Sequence, residues 1–206
     1  MMTHQLITVT ADMVKQAALY GAEAFADDPT TAYLIPNPAK RSNLSFALEY
    51  YIRLSLSGHN EAYVTSPNCE GLAIWQRSDA PSSFINSLRA GWPRLPLRCG
   101  WVYLYRNAKA ERRYGKMRRE IAPKPHMYLA HLSVAPEFQR RGFASKLVRP
   151  MLKRLDAEKL PAYLETQNLR NVAMYERFGF RLEREDAFPG TNLTMYLMIR
   201  HPNVAS

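Results

Sequence analysis

The order of apolar patterns along the chain predicts an α/β (α+β) fold, a mixed and mostly antiparallel central sheet flanked by helices. Three observations carry this expectation. Short apolar runs at 127–134, 162–167, 180–184 and 193–200 have the length of strands. Between them, Leu147, Val148, Met151, Leu152 and Leu155, and then Val172, Tyr175 and Phe178, recur at helical spacing. The first of these helices is expected to join the strands at Tyr128 and Ala162 as right-handed parallel neighbours. Finally, 206 residues of which 47% are hydrophobic suffice for one sizeable core, so 1–206 reads as a single domain.

The elements follow in order. A strand is expected at 7–10, then a helix from Asp12 that brings Met13, Ala17, Tyr20, Ala24 and Phe25 to or near one face. Residues 27–38 hold three prolines and the adjacent acids Asp27 and Asp28, and read as a loop bordering a site. A second helix is expected at about 40–56. Gly58 and His59 lead into a hairpin of 62–65 with 71–76, whose link SPNCEG has turn chemistry. A helical insertion at about 81–120 is broken at Pro93 and Pro96. The strand at 127–134 is followed by a helix at 142–155, and the strand at 162–167 by a helix at 169–178. Gly179 supplies the left-handed cap of that last helix. Pro150 stands inside the helix at 142–155, where proline costs about 3 kcal/mol, and predicts a kink.

Composition narrows the function classes. No apolar run is long enough to cross a bilayer, and the first residues lack the pattern of a secretory signal. Cys69 and Cys99 are far apart and read as free thiols of a reducing cytoplasm. His4, His59, His126, His131 and His201 show no ligand spacing, which argues against a metal enzyme. The formal charge of +10 is concentrated between Arg89 and Arg119, where Glu111 is the single acid among many cations. With Trp92, Trp101, Tyr103, Tyr105 and Tyr114 interleaved, this stretch has the ingredients of a nucleic-acid surface. A solvated helix whose aromatics pack on the sheet is the simpler reading, and the sequence weighs against a nucleic-acid partner.

The chemistry is concentrated at VAPEFQRRGFASKL, residues 134–147. A strand runs into a loop with Gln139, Arg140, Arg141 and Gly142, and that loop opens a helix at Phe143, Ala144 and Ser145. The first turn of a helix leaves N–H groups unpaired at the positive end of its dipole, so small residues and two arginines there suit a pyrophosphate. The spacing is neither GxGxxG nor GxxxxGK[ST]. By itself the segment also reads as a plain strand-to-helix turn with solvated arginines.

Together with Asn168, Tyr175, Gly179 and Phe180, the run QRRGFA at 139–144 resembles the (Q/R)xxGx(G/A) signature of the GNAT acetyltransferase superfamily. The phrase LETQNLRNVAMYERFGF at 164–180, Pro150, and AFADDP at 24–29 are similar to the bacterial puromycin N-acetyltransferase-like enzymes. The resemblance implies a GNAT acyl-CoA N-acyltransferase fold whose two parallel strands splay apart around the pantetheine arm of acetyl-CoA. It implies direct transfer of the acetyl group to a primary amine of a small molecule, an antibiotic or a metabolite. Leu132 and Val134 would pair by backbone with the pantetheine, and the Val134 N–H would serve the oxyanion. Gln139 to Ser145 would bind the pyrophosphate, with Asn168 and Asn171 also touching the cofactor. Asn168 equally reads as a helix cap. Tyr175 would donate a proton to the departing thiolate. Glu165 is read as the base or an anchor for a cationic amine, with a surface ion pair or a water chain as the alternative. Asp28, Tyr33 and Trp75 are read as lining the amine pocket on position along the fold alone. Protein or peptide acetylation, and a basic nucleic-acid module with a vestigial cofactor site, remain as rivals. A cytoplasmic location is expected, with a homodimer as one option for an oligomeric state that the sequence leaves open.

Overall fold

The computed structural model describes residues 6–57, 60–80, 83–188 and 191–203. Expectations for His4, Gly58, His59 and Pro81 lie outside the described residues. The strands are β1 (Ile7–Thr8), β2 (Asn60–Val64), β3 (Gly71–Arg77), β4 (Met127–Val134), β5 (Ala162–Thr166), β6 (Arg181–Ala187) and β7 (Thr194–Arg200). They form one sheet in the order β1-β2-β3-β4-β5-β7-β6. Every neighbour pair is antiparallel except β4 with β5, as the crossover pattern predicts.

The helices are α1 (Val14–Ala24), α2 (Pro29–Leu34), α3 (Leu44–Ser55), α4 (Phe84–Ala90), α5 (Leu95–Cys99), α6 (Trp101–Ile121), α7 (Phe143–Ala157) and α8 (Leu169–Glu176). They cover both faces of the sheet. On one face, Val14, Ala17 and Ala18 of α1 and Ala47, Leu48 and Ile52 of α3 pack on Val64, Leu72 and Ile74. On that same face, Ala110, Tyr114 and Met117 of α6 pack on Tyr163, Leu197 and Ile199. Alternation along each strand sends Trp75, Leu129, Leu164 and Met198 to the other face, under Leu147, Val148, Met151 and Leu155 of α7 and Val172 and Tyr175 of α8. None of the described helices is long and apolar enough to cross a membrane.

Two expectations are corrected. Residues 27–38 are not all loop, because Asp28 accepts a hydrogen bond from the Thr30 amide at 2.8 Å and Pro29 occupies the first turn, which starts α2. In the insertion, Pro93 and Pro96 begin helical turns, whereas the breaks fall at Gly91 and Gly100, with φ of 101° and 83°. Proline lacks only an N–H that a first turn leaves free, while glycine enters the left-handed region without a Cβ clash. Helix α7 runs through Pro150. The lost backbone bond costs about 3 kcal/mol, and burial of Leu147, Val148, Met151, Leu152 and Leu155 at roughly 1.5–3 kcal/mol each outweighs it.

Candidate active site

Two features of β4 shape the site. First, β4 and β5 pair only at Met127 with Ala162 and Tyr128 with Tyr163, after which the strands part. Second, Ile74 faces His131 while Trp75 faces Leu129, so Ala130 is an extra residue, a bulge. The Ala135 amide bonds the Glu70 carbonyl at 2.8 Å. By antiparallel alternation, the backbone groups of Leu132 and Val134 therefore turn away from β3 into the gap. The Gln139 side-chain amide donates to the Val134 carbonyl at 3.2 Å, so the backbone group of Val134 left to meet a ligand in the gap is its N–H.

Beyond this edge the chain curls. Arg140 and Gly142 have φ of 63° and 82°, with Arg141 between them outside the positive range. Such alternation turns successive N–H groups to one side. The amides of Gly142, Phe143, Ala144 and Ser145 have no acceptor among the described residues, and α7 has no capping side chain. Arg140 and Arg141 are exposed and have no carboxylate partner among the described residues. Free donors, two unpaired cations and a helix of 15 residues behind them fit the diphosphate of coenzyme A. Space around Gly142 is open, so alanine there is opposed only by its left-handed backbone, at about 1–2 kcal/mol. Gly142→Ala is expected to weaken coenzyme A binding about tenfold by calorimetry. An unchanged Kd would remove this loop from cofactor binding.

A cavity of about 240 Å³ extends from the strand gap towards α2, α3 and α6. Tyr175 lines it from α8, with a 7% exposed side chain packed edge-on against Phe180. Its hydroxyl faces the cavity with no hydrogen-bond partner among the described residues, and burial alone pushes its phenol well above the usual range. Asn171 lines the same cavity and donates to Thr166 Oγ1 at 3.4 Å. Asn168 caps α8, its Oδ1 accepting from the Arg170 amide at 3.0 Å.

Glu165 is no surface residue. Its side chain is 4% exposed; Arg118 donates to Oε1 at 3.1 Å and the Tyr128 hydroxyl at 2.7 Å. The Arg118 guanidinium lies 3.4 Å from the centre of the Tyr128 ring. Oε2 is buried without a partner among the described residues. Asp28 also lines the cavity, with Oδ1 engaged in capping α2.

Sequence reading missed Glu111, which lines this cavity from α6. Solvent reaches it, yet desolvation within the concave wall and then the charge of Glu165 raise its carboxyl above the ordinary value. Its one signal in the sequence is that it is the lone acid in the basic stretch. The basic stretch itself is partly structural: Arg113 pairs with Asp186 at 2.7 Å and Arg118 with Glu165. Tyr103 and Tyr114 are buried as expected, whereas Trp92, Trp101 and Tyr105 are exposed rather than packed on the sheet.

Two proposed lining residues stand elsewhere. Trp75 is fully buried beneath α7, because β3 alternation turns it to the face away from the cavity. Tyr33 stacks edge-on with Phe188, its ring centre 5.2 Å away, and lines neither cavity nor gap. His131 lines the cavity, accepts or donates at 2.9 Å with Ser133 Oγ and packs on Phe25. Burial pushes its pKa down to about 4. The unfolded chain takes up a proton near pH 6.5 that the folded chain refuses until about pH 4, so stability declines as pH falls across that window. His131→Asn is expected to flatten the melting temperature between pH 6.5 and 4; an unaltered slope would assign the decline to other groups. Burial also raises both thiols, Cys99 to about 11, and neither lines the cavity, so neither is an available nucleophile.

Comparison with known proteins identifies the family and the fold. Residues 61–180 match the acetyltransferase (GNAT) family. An uncharacterized N-acetyltransferase of Schizosaccharomyces pombe is 25% identical over 96% of this chain and 83% of its own. Among solved structures, the histone acetyltransferase HPA2 and related acetyltransferase from Corynebacterium glutamicum superposes with a TM-score of 0.69 at 22% identity over 98% of both chains. Arylalkylamine N-acetyltransferase 2 from Aedes aegypti does so with a TM-score of 0.62 at 10% identity, over 97% of this chain and 99% of its own. These likenesses share the fold described above, and the family match spans more than half the chain, including Gln139 to Ser145, Glu165 and Tyr175. The chain therefore belongs to the acetyltransferase (GNAT) family, whose members transfer acetyl groups from acetyl-CoA.

Proposed function

We propose that this acetyltransferase acetylates a primary amine of a small molecule, an antibiotic or a metabolite, that enters as an ammonium ion. The observation that carries this reading is the convergence of Asp28, Glu111 and Glu165 on one cavity beside the strand gap, in a chain of net charge +10. Carboxylates so placed against the general charge attract a cation, and Tyr51, Tyr103, Tyr114 and Tyr128 around them offer aromatic faces to it.

When bound, acetyl-CoA supplies the acetyl group activated as a thioester. The amides of Gly142 to Ser145 with Arg140 and Arg141 would hold its diphosphate, and the Leu132 and Val134 backbone its pantetheine. Glu111 holds the amine and accepts its proton, since a raised carboxyl is closer to a useful base at neutral pH. Glu165, charge-paired with Arg118, positions the ammonium and raises Glu111. Tyr175 keeps its proton at neutral pH and holds it at Oη for the departing sulfur. The LETQNLRNVAMYERFGF phrase supports the enzyme class rather than any one acceptor. The test is a panel of small amines assayed for coenzyme A release, with the acetylated product identified by mass. Coenzyme A binding without acetylation of any amine in the panel would refute the reading.

A further inference from the structure

Outside the inner cavity, a groove of about 1010 Å³ runs along α6. Trp101, Tyr105, Ala108, Glu111, Gly115 and Arg119 line it at helical spacing, so one face of α6 forms its wall. Helix α3 and the end of β3, through Tyr50, Tyr51, Gln76 and Arg77, form the other. Glu111, with Tyr51, Gln76 and Asn107, lines both the groove and the inner cavity, so the two spaces meet there and Glu111 is the one acid at the junction. At the rise of a helix, Trp101 lies about 15 Å before Glu111 and Arg119 about 12 Å beyond it.

The two ends differ in chemistry. At one, Trp92, Trp101 and Tyr105 are 46%, 75% and 72% exposed. Large aromatic side chains exposed together mark a binding surface more often than chance placement. At the other end, Arg119 and Lys124 are exposed and neither has a carboxylate partner among the described residues. The acid that a cationic acceptor needs therefore stands partway along, between an aromatic end and a cationic end. A short amine would fill the inner cavity and leave both ends of the groove empty.

We infer that the groove holds an elongated acceptor whose reactive amine stands in mid-length, with an aromatic group on one side and an acidic group on the other. The inference rests on the acetyltransferase reading and specifies its acceptor class. Trp92, Trp101 and Tyr105 stack the aromatic group, Arg119 and Lys124 meet the acid, and the amine passes Glu111 into the inner cavity. A small conjugate that carries a lysine-like amine between an aromatic group and a carboxylate has this chemistry, in keeping with the small-molecule reading.

The experiment compares kcat/KM for four probes. One is a blocked pentapeptide with a central lysine, tryptophan at one end and glutamate at the other, made in both orders. The second is the same peptide with alanine at both ends, the third is an indolylacetyl-lysine conjugate, and the fourth is n-butylamine. One flank order is expected to exceed the alanine-flanked peptide at least about tenfold. Trp101→Ala and Arg119→Glu are each expected to pull that ratio back towards one. Preference shared by the conjugate supports the small-molecule acceptor, and preference confined to the pentapeptide overturns it in favour of a peptide segment. Acetylation of n-butylamine with no effect of either flank overturns the inference and leaves the acetyltransferase reading standing. The same holds if the ratio is untouched by both substitutions. Absence of acetylation with every probe overturns both.

Discussion

Tyr175→Phe is expected to lower kcat about 10²- to 10³-fold, with the Kd for coenzyme A and the melting temperature unchanged. The argument is geometric before it is chemical. The Tyr175 ring packs edge-on against Phe180 on the face shared with Val172, and phenylalanine retains that packing. Its hydroxyl has no partner among the described residues, so deletion orphans no donor or acceptor. The hydroxyl contributes no hydrogen bond to the fold among the described residues and stands in the cavity beside the strand gap, which is where the proposed proton donor is needed. Because burial raises its phenol, the proton stays on Oη at neutral pH, which is the state a donor to a thiolate requires. Stopped-flow and steady-state measurements of coenzyme A release separate turnover from binding. A kcat within twofold of the parent protein would take Tyr175 out of the mechanism.

The second large effect concerns Arg118. Arg118→Leu leaves the Glu165 carboxylate, 4% exposed, without its cation, and removal of one partner of a buried pair costs about 3–5 kcal/mol. For a chain of this length that is a fall in melting temperature on the order of 10 °C. The paired replacement Arg118→Leu with Glu165→Leu is expected to recover most of it, because no uncompensated charge is then buried. Activity separates the two roles. Arg118 holds the Glu111 carboxyl down, so the single variant raises it further. A base works when deprotonated; activity is therefore lost as pH falls through the Glu111 value, and this acid limb of kcat/KM is expected to move to higher pH in Arg118→Leu. A single variant as stable as the parent would show that the ion pair is dispensable. An unmoved acid limb would assign the base elsewhere.

Several parts of the site are legible because they depend on local chemistry. A run of β-type residues followed by two arginines, a glycine and small residues predicts an anion cradle, and the free amides of Gly142 to Ser145 are what such a run produces. Asn168 before Leu169 predicts a cap, and its Oδ1 takes that part. Gly179 ends α8 in the left-handed region as expected, with φ of 87°. Where local signals compete, reading fails in a definite way. Pro93 and Pro96 suggest interruptions, but the interruptions belong to Gly91 and Gly100, since proline and glycine both punctuate and only φ tells which one ends a helix.

The lateral placement of side chains is a different kind of information. Trp75 is an aromatic on a strand next to the site, and its face follows from β3 register, which sends it under α7. Glu111 and Glu165 lie 54 positions apart along the chain. Their proximity depends on α6 crossing the sheet so that Arg118 reaches the Glu165 carboxylate. No pattern within either segment encodes that crossing.

The order of elements, the free amides at the start of α7 and the cap at Asn168 follow from the amino-acid sequence alone, because each depends on neighbours within about two helical turns, whereas Tyr175 is singled out only by the resemblance to the family. The tertiary structure decided that the lone acid of the basic helix joins the cavity, that Glu165 is a buried ion pair, and that Trp75 belongs to the core. Those outcomes are set by strand register and by how helices cross the sheet. Both are decided by the summed packing of distant residues, and a one-residue slip in register turns every side chain of a strand to the opposite face.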